Sequence, residues 1–296
     1  MNDIPHTPLT PHTLHADPAY GWSGDELDLD AYLDRIGYEG DRAPTLEALR
    51  GLQRAHVTSI PFENLDPLLG VPIALHVDAV QDKLVRERRG GYCYEHVTLF
   101  AAALERLGFE FTGVHGRVTE GAGRLRPATH AMLAVTAADD DRLWLSDVGF
   151  GRGPLAPIPV IHGAELSVEG WDFTMERRSS ALGSHEWWLH ERGPQGWQDR
   201  YSFTLNPQYP IDYAVGSHFV STHAKSPFIQ RPYIQRFSAT HHHVLDGTAW
   251  TTLRPDGSRT ERTIEAGELH GVLTEIFGIP VSPQAVAGVA ELLEST

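Results

Sequence analysis

Cysteine is nearly absent: Cys93 is the one thiol in 296 residues. A disulfide within the chain is excluded, and so is a structural zinc site built on several thiolates. Positive charge is scarce as well. Lys plus Arg total 24 against 39 Asp plus Glu, a formal net charge of −15 with His neutral. Such a surface repels phosphate backbones, which argues against nucleic-acid binding. An anionic ligand would need a local nest of backbone N–H groups or a few arginines. No apolar run approaches the length of a membrane span, so no membrane partner is expected. The opening MNDIPHTPLT lacks the basic start and apolar stretch of a secretory signal. These absences predict a protein of a reducing compartment, the cytoplasm.

Material for a core is plentiful. Hydrophobic residues make up 41%, with 7 Trp, 11 Phe and 9 Tyr, enough to exclude global disorder. Residues 1–22 show no periodicity and read as an arm. Helical spacing follows from Asp28, with Leu29, Tyr32, Leu33 and Ile36 on one face and Gly37 as a stop. A second helix fits Thr45 to Val57 with Thr45 as N-cap, and a third fits Val77 to Glu87. Arg88-Arg89-Gly90-Gly91-Tyr92 is a loop. Helical spacing returns from Glu95 to Leu107, ahead of Gly108. Short runs rich in β-branched and aromatic residues then predict strands at 109–118, 128–136, 142–148, 172–176, 186–190 and 200–205. This middle third reads as an antiparallel barrel or curled sheet. The last part holds Phe219-Val220-Ser221-Thr222, a strand pair around Asp256-Gly257 and a terminal helix over 282–293.

The lone Cys93 falls between the glycine turn and a helix start, where peptide dipoles favour a negative sulfur. Most lone cysteines are merely buried apolar side chains, and the Gly-Gly turn is what raises a nucleophile as an equal alternative. A thiolate nucleophile needs a base. His130, in an alternating strand, is the candidate, and a satisfied core histidine is the competing reading. The turn signal at Ala138-Asp139-Asp140-Asp141 predicts a hairpin. With Ala138 and Asp139 as its turn, paired positions sum to 277, and Asp147 directly faces His130. Lengthening the loop by two residues shifts the partner but keeps both side chains on one face, whereas an odd loop would put them on opposite faces unless a bulge intervened. Asp147 would then orient the imidazole and favour its charged form. The run Gly149-Phe150-Gly151-Arg152-Gly153 follows at once, where N–H groups and Arg152 could receive a coenzyme pyrophosphate and Phe150 could line an acyl or aromatic pocket. His241-His242-His243 reads as a solvated or ligand-edge cluster, since adjacent strand residues face opposite ways; no metal site is expected. Asp139-Asp140-Asp141 reads as a turn.

Taken together, Arg89-Gly90-Gly91-Tyr92-Cys93-Tyr94-Glu95, Ser59-Ile60-Pro61-Phe62-Glu63-Asn64-Leu65, Thr129-His130, Asp147-Val148-Gly149-Phe150-Gly151, and Phe219-Val220-Ser221-Thr222-His223 with Ser226-Pro227-Phe228 resemble the arylamine N-acetyltransferases. The resemblance runs from about Tyr32 to Phe237. It implies an α+β fold with a papain-like cysteine catalytic core: a helical domain (23–108), an antiparallel β-barrel domain (109–215) and an α/β lid domain (216–296). It implies a Cys93-His130-Asp147 triad and ping-pong transfer of acetyl from acetyl-CoA to an arylamine, hydrazine or arylhydroxylamine. Carried over by motif, Phe62, Val118, Phe150 and Phe228 line the acceptor pocket, and Glu63 pairs with Arg35. One departure is Val97, where many members carry Asn.

The same triad also serves CoA-independent amide synthases that close macrolactams, which is the alternative reading. A hydrolase or transglutaminase, and a non-enzymatic binding module, are further rivals. The C-terminal region is expected to set substrate access or subunit contacts, a homodimer among them.

Overall fold

Asp28 and Thr45 start two helices by the same device: each side chain accepts a hydrogen bond from the N–H three residues on, at Ala31 and Ala48. Helix α1 (Leu29–Ile36) ends at Gly37 in the left-handed conformation, and α2 (Leu46–Ser59) follows. The computed structural model describes residues 21–119, 125–179 and 183–294. The arm over 1–20 lies outside them. Trp22, at the arm's expected end, is already part of the core: its N–H donates to Glu105 and its ring packs edge-on against Tyr213.

A short α3 (Leu65–Leu68) and α4 (Val77–Gln81) lead through a π turn over Asp82–Arg86 to α5 (Cys93–Arg106). Helix α5 is buried at every residue from Cys93 to Leu104, so it forms the centre of the first core rather than an amphipathic surface helix.

Eight antiparallel strands follow: β1 (Glu110–Val118), β2 (His130–Ala137), β3 (Asp140–Ser146), β4 (Ile158–Pro159), β5 (Ala164–Val168), β6 (Trp171–Ser179), β7 (His185–Gly193) and β8 (Gly196–Phe203). Their order is β4-β3-β2-β1-β8-β7-β6-β5. The two edge strands, β4 and β5, approach each other, which nearly closes the sheet into a barrel. Helix α5 packs against β2, which brings the layer of Cys93 against that of His130.

The chain then forms α6 (Pro210–Thr222). This helix corrects the sequence reading, in which no helix was expected there. Pro210 at its first turn and Asp212, which accepts from the Tyr209 N–H, are the start signals present in the sequence. A second antiparallel sheet of order β12-β11-β10-β9 comprises β9 (Tyr233–Phe237), β10 (His242–Asp246), β11 (Ala249–Leu253) and β12 (Arg259–Thr263). With α7 (Leu269–Gly271) and α8 (Pro283–Glu294) it encloses a second core of Ile234, Leu245, Leu269, Leu273, Phe277 and Ile279. Leu65 and Leu68 of the first helical segment are buried in that second core.

Candidate active site

The loop before Cys93 is built by glycines under compression. A Cβ on Gly90 would overlap the Pro61 carbonyl, and one on Gly91 would sit 2.8 Å from Glu95 Oε2. Their absence lets the loop pair with Pro61-Phe62-Glu63: Glu63 N–H donates to Gly91 O at 2.8 Å and Gly91 N–H to Pro61 O at 3.3 Å. Glu95 reaches back to the Tyr92 N–H at 3.1 Å and fixes the start of α5 at Cys93.

A chain of five alternating charges holds this corner. Glu63, fully buried, bonds Arg89 at 2.7 Å; Arg89 bonds Asp66 at 2.8 Å; Lys83 joins Asp66 and Glu95 at 2.7 Å each. The expected Glu63–Arg35 pair is therefore corrected: Glu63 takes Arg89, the nearer cation in the adjoining loop. Arg35 donates instead to the carbonyls of Leu84, Ser59, Arg88 and Arg89.

Cys93, His130 and Asp147 come together and are 5%, 4% and 1% exposed. His130 Nε2 lies 3.0 Å from Asp147 Oδ2, and the Cys93 side chain is close enough to the ring to help raise its pKa, while the sulfur's own hydrogen bond goes to the Thr129 carbonyl at 3.7 Å. With Nε2 engaged by the carboxylate, Nδ1 is the nitrogen left for sulfur. Burial by itself lowers the His130 pKa. The charge and hydrogen bond of Asp147, with the Cys93 contact, outweigh it and push the pKa up to about 10. The other Asp147 oxygen accepts the Gly149 N–H at 3.1 Å.

His130 and Asp147 are not directly opposed, which corrects the expected register. The turn is at Ala138-Asp139 and Ala137 pairs with Asp140, as the sequence predicts. An irregularity between Val135 and Ala137 then shifts the ladder, so Leu133 pairs with Ser146. The shift is two residues, so both side chains keep the same face. Asp147 lies just past the end of β3, and His130 pairs with Gly116 of β1.

The glycine run after Asp147 serves the triad by close packing. A Cβ on Gly149 would stand 2.7 Å from Cys93 Cα, and one on Gly153 3.0 Å from the Asp147 carbonyl. Gly151 has φ +84°, and a Cβ there would overlap the Gln235 amide. The Gly149 N–H is committed to Asp147 rather than open to a phosphate. Arg152 pairs with buried Glu191 at 2.8 Å, and Glu191 also holds Arg200 at 3.2 Å. Of the expected pyrophosphate cradle, Arg152 and the first amide thus have partners within the fold.

Phe62 and Phe228 face each other with ring centroids 5.7 Å apart, beside Tyr92 and Tyr233. Phe150 meets His130 edge-on at 5.0 Å and Tyr201 at 5.3 Å. Val118 pairs with Tyr201 across β1 and β8. The cavities found elsewhere, of about 260 and 220 Å³, have no triad residue in their walls.

Three contributors escaped the sequence reading. Buried Gln235 exchanges backbone hydrogen bonds with Phe62, donates its amide to the Phe150 carbonyl at 3.1 Å and bonds His242 at 2.8 Å. Asn64 donates to the Phe228 and Arg231 carbonyls and accepts the Tyr233 N–H. Tyr32, His56 and His96 form a buried chain ending on the Pro61 carbonyl. That terminal acceptor fixes its direction: His96 Nε2 donates to the carbonyl, His56 Nε2 to His96 Nδ1, and Tyr32 to His56 Nδ1. Burial keeps both imidazoles neutral. Val97 is fully buried in apolar surroundings, and neighbouring His96 carries the hydrogen bonding of its turn. His242 is buried, while the His241 and His243 rings, partly exposed, stack at 5.5 Å. Among the described residues no three His, Cys, Asp or Glu groups converge as metal ligands, and no helix is long and apolar enough to cross a membrane.

A family model described as N-acetyltransferase matches residues 45–286. The chain is 37% identical over 278 residues to an arylamine N-acetyltransferase of Mycolicibacterium smegmatis, covering 91% of this chain and 99% of the relative. It superposes on the crystal structure of Nocardia farcinica arylamine N-acetyltransferase with a TM-score of 0.91 and 56% identity, covering 94% and 99% of the two chains. The Mycobacterium marinum arylamine N-acetyltransferase in complex with CoA gives 0.80 and 35%, covering 90% and 97%.

Proposed function

The chain belongs to the arylamine N-acetyltransferase family, and from that premise we propose that it moves acetyl from acetyl-CoA through a thioester on Cys93 to an arylamine, hydrazine or arylhydroxylamine. The observation that carries this reading is the buried His130, 3.0 Å from Asp147, with buried Cys93 acting on its ring.

In the first half-reaction the Cys93 thiolate attacks the acetyl carbonyl. The C–S bond to coenzyme breaks, and the departing thiolate takes the proton of the His130 imidazolium. The amides at the start of α5 are placed to receive the negative oxygen of the tetrahedral intermediate. In the second half the amine attacks the thioester, neutral His130 takes its proton, and the Cys93 thiolate leaves with the imidazolium restored. Asp147 holds the ring and its charge throughout. Phe62, Phe150, Phe228 and Val118 form the apolar wall against which an aromatic amine is received, and exclusion of water there protects the thioester from hydrolysis.

We divide the chain accordingly: helical segments to residue 108 carry the nucleophile, the barrel from 109 carries base and carboxylate, and the C-terminal sheet unit, with its boundary moved ahead of Pro210, covers the Phe62 side. A net charge of −15 supports small-molecule partners over nucleic acid. A free reactive thiol supports a cytoplasmic setting.

The CoA bound to the M. marinum relative favours acetyl transfer over CoA-independent amide synthesis. Initial rates over a grid of acetyl-CoA and aniline concentrations test it. Parallel double-reciprocal lines, with no turnover for Cys93→Ser, are expected. Intersecting lines, or turnover by Cys93→Ser, would refute the covalent route.

A further inference from the structure

Away from the triad, three arginines converge on one polar cavity of about 220 Å³. Its wall comprises Arg35 from α1, Thr58 and Ser59 from α2, Arg88 from the loop before Cys93, Arg236 from β9, and Gly278. In a chain with 15 more acidic than basic groups, this is an uncompensated cationic spot. Among the described residues no carboxylate forms an ion pair with Arg35, Arg88 or Arg236. Their visible partners are neutral carbonyls: those of Leu84, Ser59, Arg88 and Arg89 for Arg35, and that of Phe277 for Arg236.

The wall is shaped for these guanidiniums. Gly278 has φ +69°, and a Cβ there would overlap Arg236 Nη1, so only glycine lets Arg236 lie against the backbone. Arg35 is 7% exposed and held by four hydrogen bonds to main-chain oxygens. Arg88 is exposed at the rim. Arg35, the buried member, is held only by dipoles, and burial followed by the charges of Arg88 and Arg236 brings its pKa down to about 10.

We propose that this cavity is an anion site that takes a phosphate group, with Arg88 and Arg236 as its donors and Arg35 as its fixed buried charge. Planar guanidiniums bond phosphate oxygens in pairs, and the cavity is large enough for one such group. Because Arg35 also holds the Arg88 and Arg89 carbonyls, an anion here neutralises the charge that clamps the loop leading to Cys93. The site is independent of the triad and stands whether or not acetyl transfer does.

Calorimetric titration with inorganic phosphate at fixed ionic strength tests it, comparing wild type with Arg88→Gln and Arg236→Gln. Each lost charge-assisted bond weakens binding by about tenfold or more. The same variants, which relieve repulsion, melt at or above the wild-type temperature in chloride buffer and lose the upward shift that phosphate gives the wild type. A parallel titration with CoA assigns the source. Weakening of phosphate binding alone points to a free anion, and weakening of CoA binding points to a coenzyme phosphate. If neither ligand distinguishes wild type from both variants, the site does not exist.

Discussion

Asp147 keeps His130 charged in a place where burial would otherwise neutralise it. Replacing it with Asn keeps the shape and removes the charge. The ring's pKa is then expected to fall from about 10 to below its ordinary 6.5, read from its NMR titration. The rate of CoA release should drop by about 10³–10⁴-fold. A second consequence concerns stability. The folded-state pKa of His130 lies above the ordinary value, so its contribution is full below pH 6.5 and is lost as pH rises through 10. Urea melts of wild type and His130→Gln should therefore differ most near about pH 6 and converge near about pH 11. The meeting of Cys93, His130 and Asp147 was legible because each supplies what the next lacks, and two-residue periodicity put His130 and Asp147 on one face. Gln235 was not legible: nothing in its local pattern reveals that it reaches Phe62, Phe150 and His242 at once.

Between Phe62 and α5, the charges of Glu63, Arg89, Asp66, Lys83 and Glu95 act as one element. Arg89→Gln strips fully buried Glu63 of its cation. It is expected to cost about 3–5 kcal/mol in urea denaturation, because the carboxylate left behind has lost its compensation. Gly149→Ala acts on the neighbouring turn. Its methyl would press on Cys93 Cα, and overpacking of this kind costs about 1–3 kcal/mol. Alkylation of Cys93 by iodoacetamide should slow in this variant while the fold, followed by circular dichroism, persists. The helix start near Asp28 was readable from apolar spacing, the one at Thr45 from its cap, and the stop from Gly37. The irregularity in the β2–β3 hairpin was not, because strand pattern carries no record of where a ladder slips by two. The Arg35–Glu63 expectation failed for a similar reason: carboxylate and guanidinium types were visible, but the fold decides which cation arrives.

Two hydrophobic cores share the molecule, and Leu65 and Leu68 cross from the N-terminal half into the second one. This interlock makes separate unfolding costly. Leu65→Ala should destabilise by about 2–5 kcal/mol and leave a single transition observed by both tryptophan fluorescence and circular dichroism. Two separate transitions would mean that the sheet unit of β9–β12 folds alone. The barrel and helical layers were legible from the change of period after Gly108. Helix α6 was not, since it carries apolar residues on its exposed side as well, at Ile211 and Val215. What the whole assembly achieves is a sulfur at the first turn of a buried helix, facing a charged imidazole from the barrel. Intact-mass analysis and peptide mapping after mixing with acetyl-CoA, in the absence of any amine, test that most directly. One acetyl group on Cys93, absent from Cys93→Ser and discharged on adding an arylamine, is the expected result. An unmodified Cys93 in protein that still acetylates the amine would contradict it.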